Sequence, residues 1–284
     1  MAAAPASTLW AVAWRRFKRN KLSLAGLAIT VWLVVTAILA PYIAPYDPNK
    51  MHWGKEYMPP CPEFPLGTDE MGRDVLSRVI WSARTSLYVG FASVLLIAAI
   101  GVTVGAISGY FGGWIDEVLM RITDIVLTIP TIMLLILIAS IFQVRSLNVI
   151  ILAIGAVSWP TIARITRSQF LLIKELPYID AARVAGLSHP RIIFRHILPN
   201  ALPPIIVAAT FDMASAILME ASLSFLGLGD PRVVSWGQML SVGHTVMLHA
   251  WWVGTFPGLA IFVTVLGFNL LGDGLREALD VAMR

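Results

Sequence analysis

Two carboxylates, Asp212 and Glu220, interrupt an otherwise apolar stretch that runs from about 202 to 228. An ionisable group inside a hydrophobic run is costly, and its default reading is functional. The two lie eight residues apart, roughly two turns of helix, and so sit near one face. Two chemistries fit. One is an acid that meets a cation. The other is an interhelical hydrogen bond. Other reactive constellations are missing. His52, His189, His196, His244 and His249 include no His-x-x-x-His pair and no Glu-x-x-His motif matched by a second, so no metal site is expected. Cys61 is the only cysteine, which excludes an intramolecular disulfide framework and a cysteine-based zinc cluster. No Gly-x-Ser-x-Gly, no His-Glu-x-x-His and no phosphate-binding Gly-x-x-x-x-Gly-Lys-Ser/Thr loop occurs, which argues against an intramembrane enzyme.

A second constellation works by shape. Between Lys174 and Pro199 the chain offers Pro177 and Asp180 followed by Ala181, Ala182 and Arg183, then Gly186, then Ser188-His189-Pro190. Carboxylates are favoured in the first helical turn and alanine is the best helix former. Gly186 can end that helix at positive φ. Ser188 is placed to cap a second short helix with Pro190 in its first turn. Pro199 is expected to break the chain before the next apolar stretch. Ile192, Ile193, Phe194, Ile197 and Leu198 give this helix-glycine-helix unit more apolar surface than a free loop needs, so it is expected to fill a groove on another protein.

The elements that position these groups follow from charge spacing. Of 284 residues, 57% are hydrophobic and 13% charged, about half the share of a soluble domain. Mean hydropathy is +0.76. Disorder is excluded and a soluble enzyme is disfavoured. Residues 22–46, 85–115, 125–144, 146–163 and 233–272 contain no Asp, Glu, Lys or Arg. A spanning helix needs about 20 apolar residues. With 202–228 added, the expectation is an all-α polytopic protein with six spans, near 22–43, 85–108, 122–143, 148–169, 202–227 and 251–272. The first run is longer than the core of a signal peptide and is read as a retained span.

Basic residues set the orientation. Arg15, Arg16, Lys18, Arg19 and Lys21 precede the first span. Arg164, Arg167, Lys174, Arg183, Arg191 and Arg195 lie four spans later, on the same side, with Arg121, Arg276 and Arg284. Both termini are therefore expected in the cytoplasm. The basic residues outside (Lys50, Lys55, Arg73, Arg78, Arg84, Arg145 and Arg232) are largely balanced by acids in the first outer loop. The net charge of +4 thus reflects topology, and nucleic-acid binding loses its support. In that loop, about 44–84, six prolines give way to Val75, Leu76, Val79 and Ile80 at helical spacing, expected to form a short interfacial helix. Trp53, Trp81, Trp236, Trp251 and Trp252 read as interface anchors. Gly101, Gly105 and Gly109 read as a close-packing stripe in the second span.

The loop pattern is specific. Asp180-Ala181-Ala182, then Gly186, then Leu198-Pro199 resembles the "EAA" signature of permease subunits of binding-protein-dependent ABC importers, with Asp in place of Glu and His196 where Ile is frequent. Phe64-Pro65-Leu66-Gly67-Thr68-Asp69, Gly72-Arg73-Asp74-Val75-Leu76-Ser77-Arg78, Arg195 to Ala201 and Glu220 to Gly229 resemble signatures of the dipeptide/oligopeptide/nickel branch of that family, in its C-type permease.

The resemblance implies a type I importer bundle in a bacterial inner membrane. It implies pairing with a second permease, two cytoplasmic ATPases that bind ATP and magnesium, and an extracytoplasmic binding protein that delivers peptide. No cofactor is expected in this chain. Coupling to the ATPases is implied for Asp180, Ala181, Ala182, Arg183, Gly186, His189, Pro190, Leu198 and Pro199 within 177–199. Asp212 and Glu220 are candidates for the path. The domain reading is 1–84 for the tail, first span and outer loop, 85–275 for the permease domain, and 276–284 for the C-terminal tail. Nickel and glutathione-like substrates belong to the same branch. From another class, a secondary transporter or channel also fits six spans, but it would not need the coupling signature.

Overall fold

The structure is a computed structural model, and it describes residues 14–142 and 146–280. Arg145, Arg284 and the first thirteen residues of the N-terminal tail lie outside the described residues. The elements, in order, are α1 (Lys21–Ile43), α2 (Val75–Phe111), α3 (Gly113–Thr128), α4 (Thr131–Phe142), α5 (Leu147–Ile173), α6 (Pro177–Val184) and α7 (His189–Ile192). A π-helical turn (Ile193–Ile197) follows, then α8 (Leu198–Phe225), α9 (Trp236–Thr245) and α10 (Trp252–Asp280). Five helices, or helix runs, are long and apolar enough to span a bilayer. The bent pair α3–α4 makes a sixth span if counted as one.

The spans differ from expectation where proline or a satisfied charge decides. The stretch 122–143 is a bend of 88° between α3 and α4. Pro130 lacks an N–H and pushes the preceding Ile129 to extended geometry, φ −86° and ψ 128°. The short interfacial helix expected at Val75–Ile80 is instead the first turn and a half of α2, which runs unbroken for 37 residues, about 55 Å. Asp74 caps it, accepting from the backbone N–H of Ser77 at 2.7 Å and from its hydroxyl at 2.5 Å. The expected break at Pro199 does not occur either. Pro199 sits in the first turn of α8, where no N–H is needed, and the helical run continues from His189 to Phe225. α9 was not anticipated.

Packing explains the glycine spacing. In α2, a Cβ at Gly101 would lie 2.7 Å from the Ile162 side chain, one at Gly105 2.6 Å from Thr166, and one at Gly109 2.7 Å from Phe170. All three neighbours belong to α5, so hydrogen-only positions let the two backbones approach. The main core gathers Ile97, Ile154, Ile162, Phe170, Ile179, Ile192 and Ile197. α1 lies antiparallel to α10, with Gly26 against Leu270 and Leu271.

Residues 44–74 close one end of the bundle. Asp69 is their hub. Its Oδ1 accepts from the backbone N–H groups of Met71 and Arg73, and its Oδ2 from Arg73 Nε at 2.7 Å, with Arg78 Nε at 3.4 Å. Arg78 also donates to the Pro48 carbonyl at 3.1 Å. Trp252 and Trp236 are buried here and are not interface anchors. Trp252 donates to the Thr68 carbonyl and Trp236 to the Val79 carbonyl, each at 3.0 Å. Trp53 and Trp251 are exposed, as anchoring requires.

Candidate functional site

At the opposite end lies the α6–α7 unit. Leu176 stands at the N-cap of α6 and Pro177 opens it. Ile179 and Ala182 turn inward and are buried, as are Ile192 and Ile197. The outward face carries Val184, 90% exposed, with Phe194 at 68% and Tyr178 at 43%. Of the five residues expected to supply a docking face, Ile192 and Ile197 therefore serve the core, and Phe194 is the one strongly exposed. Val184 and Tyr178, one in the EAA-like stretch and one beside Pro177, complete the apolar face. The 3.6-residue period could have separated these two sets.

Gly186 ends α6 at φ +75°. Its N–H donates to the Arg183 carbonyl at 2.9 Å, and Leu187 N–H to the Ala182 carbonyl at 3.2 Å. This pair of bonds is the Schellman pattern, which needs a left-handed residue at that position. Asp180 meets Arg183 of its own helix at 2.9 Å, and both remain substantially exposed. Ser188 occupies the N-cap of α7, but its side chain makes no capping bond. His189 and Pro190 form the first turn of α7, and Leu198-Pro199 opens α8.

The unit is pinned to the bundle from two sides. The Tyr110 hydroxyl, at the end of α2, hydrogen-bonds His189 Nδ1 at 2.7 Å, with the rings edge to face. Lys174 Nζ donates to the Gly109 carbonyl at 3.0 Å. Tyr110 was not among the sequence candidates. It lies far from the loop in sequence and belongs to no motif. Asn200 Nδ2 donates to the His196 carbonyl at 2.7 Å and to Tyr178 Oη at 3.3 Å, joining α8 to α6. Nearby, Arg167 of α5 grips Asp116 of α3 through two bonds of 2.5 Å, and Ser108 bonds the same carboxylate.

Asp212 and Glu220 both lie on α8. Glu220 is fully buried. Its Oε1 accepts from Ser224 at 2.7 Å, Ser235 stands close to the carboxylate, and Oε2 makes no hydrogen bond of good geometry. Asp212 is partly buried, and its Oδ2 also lacks a partner. A cavity of about 1070 Å³ opens between α1, α2, α8 and α10 toward the 44–74 end, walled by Thr30, Val34, Leu87, Phe91, Met213 and Phe268, among others. Neither carboxylate lines it. In the α8–α9 loop, Arg232 Nη2 donates to Asp230 Oδ2 at 2.8 Å and holds that carboxyl below the usual range.

Long apolar helices packed through glycines, closed at one end by a helix-glycine-helix loop, define a polytopic membrane protein. Residues 101–284 match a family model described as binding-protein-dependent transport system inner membrane component. Residues 8–60 match the N-terminal TM domain of oligopeptide transport permease C. The chain belongs to the binding-protein-dependent transport system inner membrane components, the permease subunits of ABC importers, and is a multi-pass inner-membrane protein.

It is similar to the dipeptide transport system permease protein DppC of Haemophilus influenzae, 43% identical over 278 residues that cover 95% of this chain and 94% of that protein. The glutathione transport system permease protein GsiD of Pectobacterium atrosepticum is 41% identical, covering 98% and 91%. The oligopeptide transport system permease protein OppC of Bacillus subtilis is 40% identical, also covering 98% and 91%. Among solved structures, the MetNI methionine ABC transporter in an inward-facing conformation matches with a TM-score of 0.57 and 22% identity, covering 71% of this chain and 96% of that one. The fold is that of a type I importer permease.

Proposed function

We propose that this chain is the C-type permease of a di- or oligopeptide importer and forms half of the translocation pathway. A second permease supplies the other half, a binding protein delivers peptide from outside, and two ATPases bind ATP and magnesium on the cytoplasmic side. Both termini and the α6–α7 unit face the cytoplasm, in keeping with the clustered Lys and Arg residues there.

One observation carries the reading. The α6–Gly186–α7 unit turns Val184, Phe194 and Tyr178 outward while Ile179, Ile192 and Ile197 anchor it in the core. An apolar face held out on a rigid, core-anchored turn suits a groove on a partner. Closure of the ATPases on ATP would move this unit, and the bundle would exchange inward and outward openings as a two-state system. Asp180, Ala181, Ala182, Arg183, Gly186, His189, Pro190, Leu198 and Pro199 form the coupling element. Asp212 and Glu220 remain candidates to face the path once the second permease is in place. The dipeptide and oligopeptide relatives favour peptide as substrate, and the glutathione relative supports a short peptide-like thiol as the second reading.

Tagged purification in mild detergent with mass spectrometry tests the assembly. A second permease and ATPases are expected to co-purify. A chain that purifies alone would move the reading to a secondary transporter or channel. Uptake of labelled dipeptide by the reconstituted complex tests the substrate.

A further inference from the structure

A small polar pocket of about 490 Å³ lies where α1 begins and α10 ends. It is lined by Arg16, Arg19, Asn20, Gly274, Glu277 and Ala278. Just before α1, residues 14–17 form a helical turn. Phe17 is 4% exposed and packs with Val207, Ala278 and Leu279. Trp14 stacks on Phe17 yet stays half exposed, with Lys18 Nζ 4.9 Å above its ring. A half-exposed tryptophan on an amphipathic turn, next to the first residue of a span, marks the level of lipid headgroups.

The pocket carries both signs of charge. Arg16 and Arg19 are three residues apart and both line it. Neither makes an ion pair with a described residue, so both are available to an anion. Arginine guanidinium groups match phosphate oxygens. Glu277 also lines the pocket; its Oε2 accepts from Asn20 Nδ2, while Oε1 is left for another donor. A purely anionic headgroup would meet this carboxylate unfavourably. A quaternary ammonium has no N–H to give it. A primary ammonium a few bonds from a phosphate matches both the arginines and Glu277. The volume suits a headgroup.

We infer that this pocket binds the headgroup of a bilayer aminophospholipid of the phosphatidylethanolamine type, with its phosphate on Arg16 and Arg19 and its ammonium on Glu277. The inference rests on the membrane placement of α1 and α10 and is independent of the peptide reading.

The test is native mass spectrometry of the full chain, with whatever subunits co-purify, released from nanodiscs of equal phosphatidylethanolamine, phosphatidylglycerol and phosphatidylcholine. Retained ethanolamine lipid is expected to exceed its bulk share by about fivefold, the scale of one partly exposed ion pair. R16Q/R19Q should return the ratio to bulk. E277Q, a near-isosteric change, should shift the preference toward phosphatidylglycerol. R15Q, a charge loss outside the pocket lining, should behave as wild type. Wild-type lipid at the bulk ratio, or an equal loss in R15Q, overturns the site. Displacement of the lipid by millimolar soluble phosphoethanolamine would assign the pocket to a free phosphate ester and overturn the lipid assignment.

Discussion

Tyr110 and His189 are 79 residues apart and joined by one hydrogen bond of 2.7 Å, between the last turn of α2 and the first turn of α7. Tyr110 is buried and His189 exposed. α2 continues for 37 residues to the Asp69 hub at the other end of the bundle. In the proposed coupling, movement of α7 would be handed to a helix that reaches both faces. Removing only the hydroxyl, Tyr110→Phe, deletes a bond with a net value of about 1 kcal/mol. Transport per ATP hydrolysed should fall about fivefold in the reconstituted complex, while expression and thermal stability stay near wild type. An unchanged ratio of uptake to hydrolysis would remove Tyr110 from the coupling route.

Gly186 separates strain from collision. A Cβ there meets nothing within 4 Å, but φ is +75°. The cost of a side chain is therefore conformational, about 1–2 kcal/mol, and largest for β-branched residues. Transport by the assembled importer should rank Gly, then Asn, then Ala, then Val. A Gly186→Val chain that transports like wild type would show that the turn is not needed for coupling.

At Gly105 the reverse holds. The helix is regular there, but a Cβ would lie 2.6 Å from Thr166 and 3.0 Å from the backbone of Arg167. Gly105→Val should destabilise by about 1–3 kcal/mol through overpacking. Thermal unfolding in detergent is the measurement, and a melting temperature equal to wild type would contradict the close α2–α5 contact.

Glu220 offers a choice between structure and path. The near-isosteric Glu220→Gln keeps a partner for Ser224, whereas Glu220→Ala leaves buried polar groups unpaired at about 1–3 kcal/mol. A structural role predicts normal amounts and normal uptake for Gln and low protein for Ala. Normal amounts with lost uptake in the Gln variant would place the charge on the path. Western blotting beside uptake distinguishes them.

Asp230 gives a pH dependence with a fixed sign. Arg232 lowers its carboxyl below the ordinary 3.8. A depressed folded value means stabilisation that is present above 3.8 and lost as pH falls through the lower, folded value. Hydrogen-exchange protection at 226–235, taken relative to the intrinsic rate, should fall more steeply on acidification in wild type than in Asp230→Asn. Parallel profiles would show that the pair does not anchor the loop.

The spans were legible because uncharged runs of 18 or more residues leave few alternatives. The start of α2 was hidden by Arg78 and Arg84, which read as loop charges. Arg78 is satisfied inside the fold by Asp69 and Pro48, so its charge does not mark solvent. The α3–α4 bend turns on Pro130, which is visible in sequence, but a uniformly apolar run concealed its effect. α9 was missed because its ten residues give too short a period and its cap, Ser235, stood in no recognised pattern. In the coupling element, the Gly186 turn follows from local chemistry and was legible. The pairing of His189 with Tyr110 is a tertiary contact that no local period encodes.

The run from His189 to Phe225 contains a π turn and then Pro199, Pro203 and Pro204. Pro203 and Pro204, inside the helix and close to a widened turn, leave two carbonyls without ladder partners near the start of α8. Elsewhere α8 is continuous and stiff. In the proposed coupling, a push on α7 would reach α8 first as a change of bend angle, with little axial slip. The half carrying Asp212 and Glu220 would then swing as one body about this proline-rich stretch.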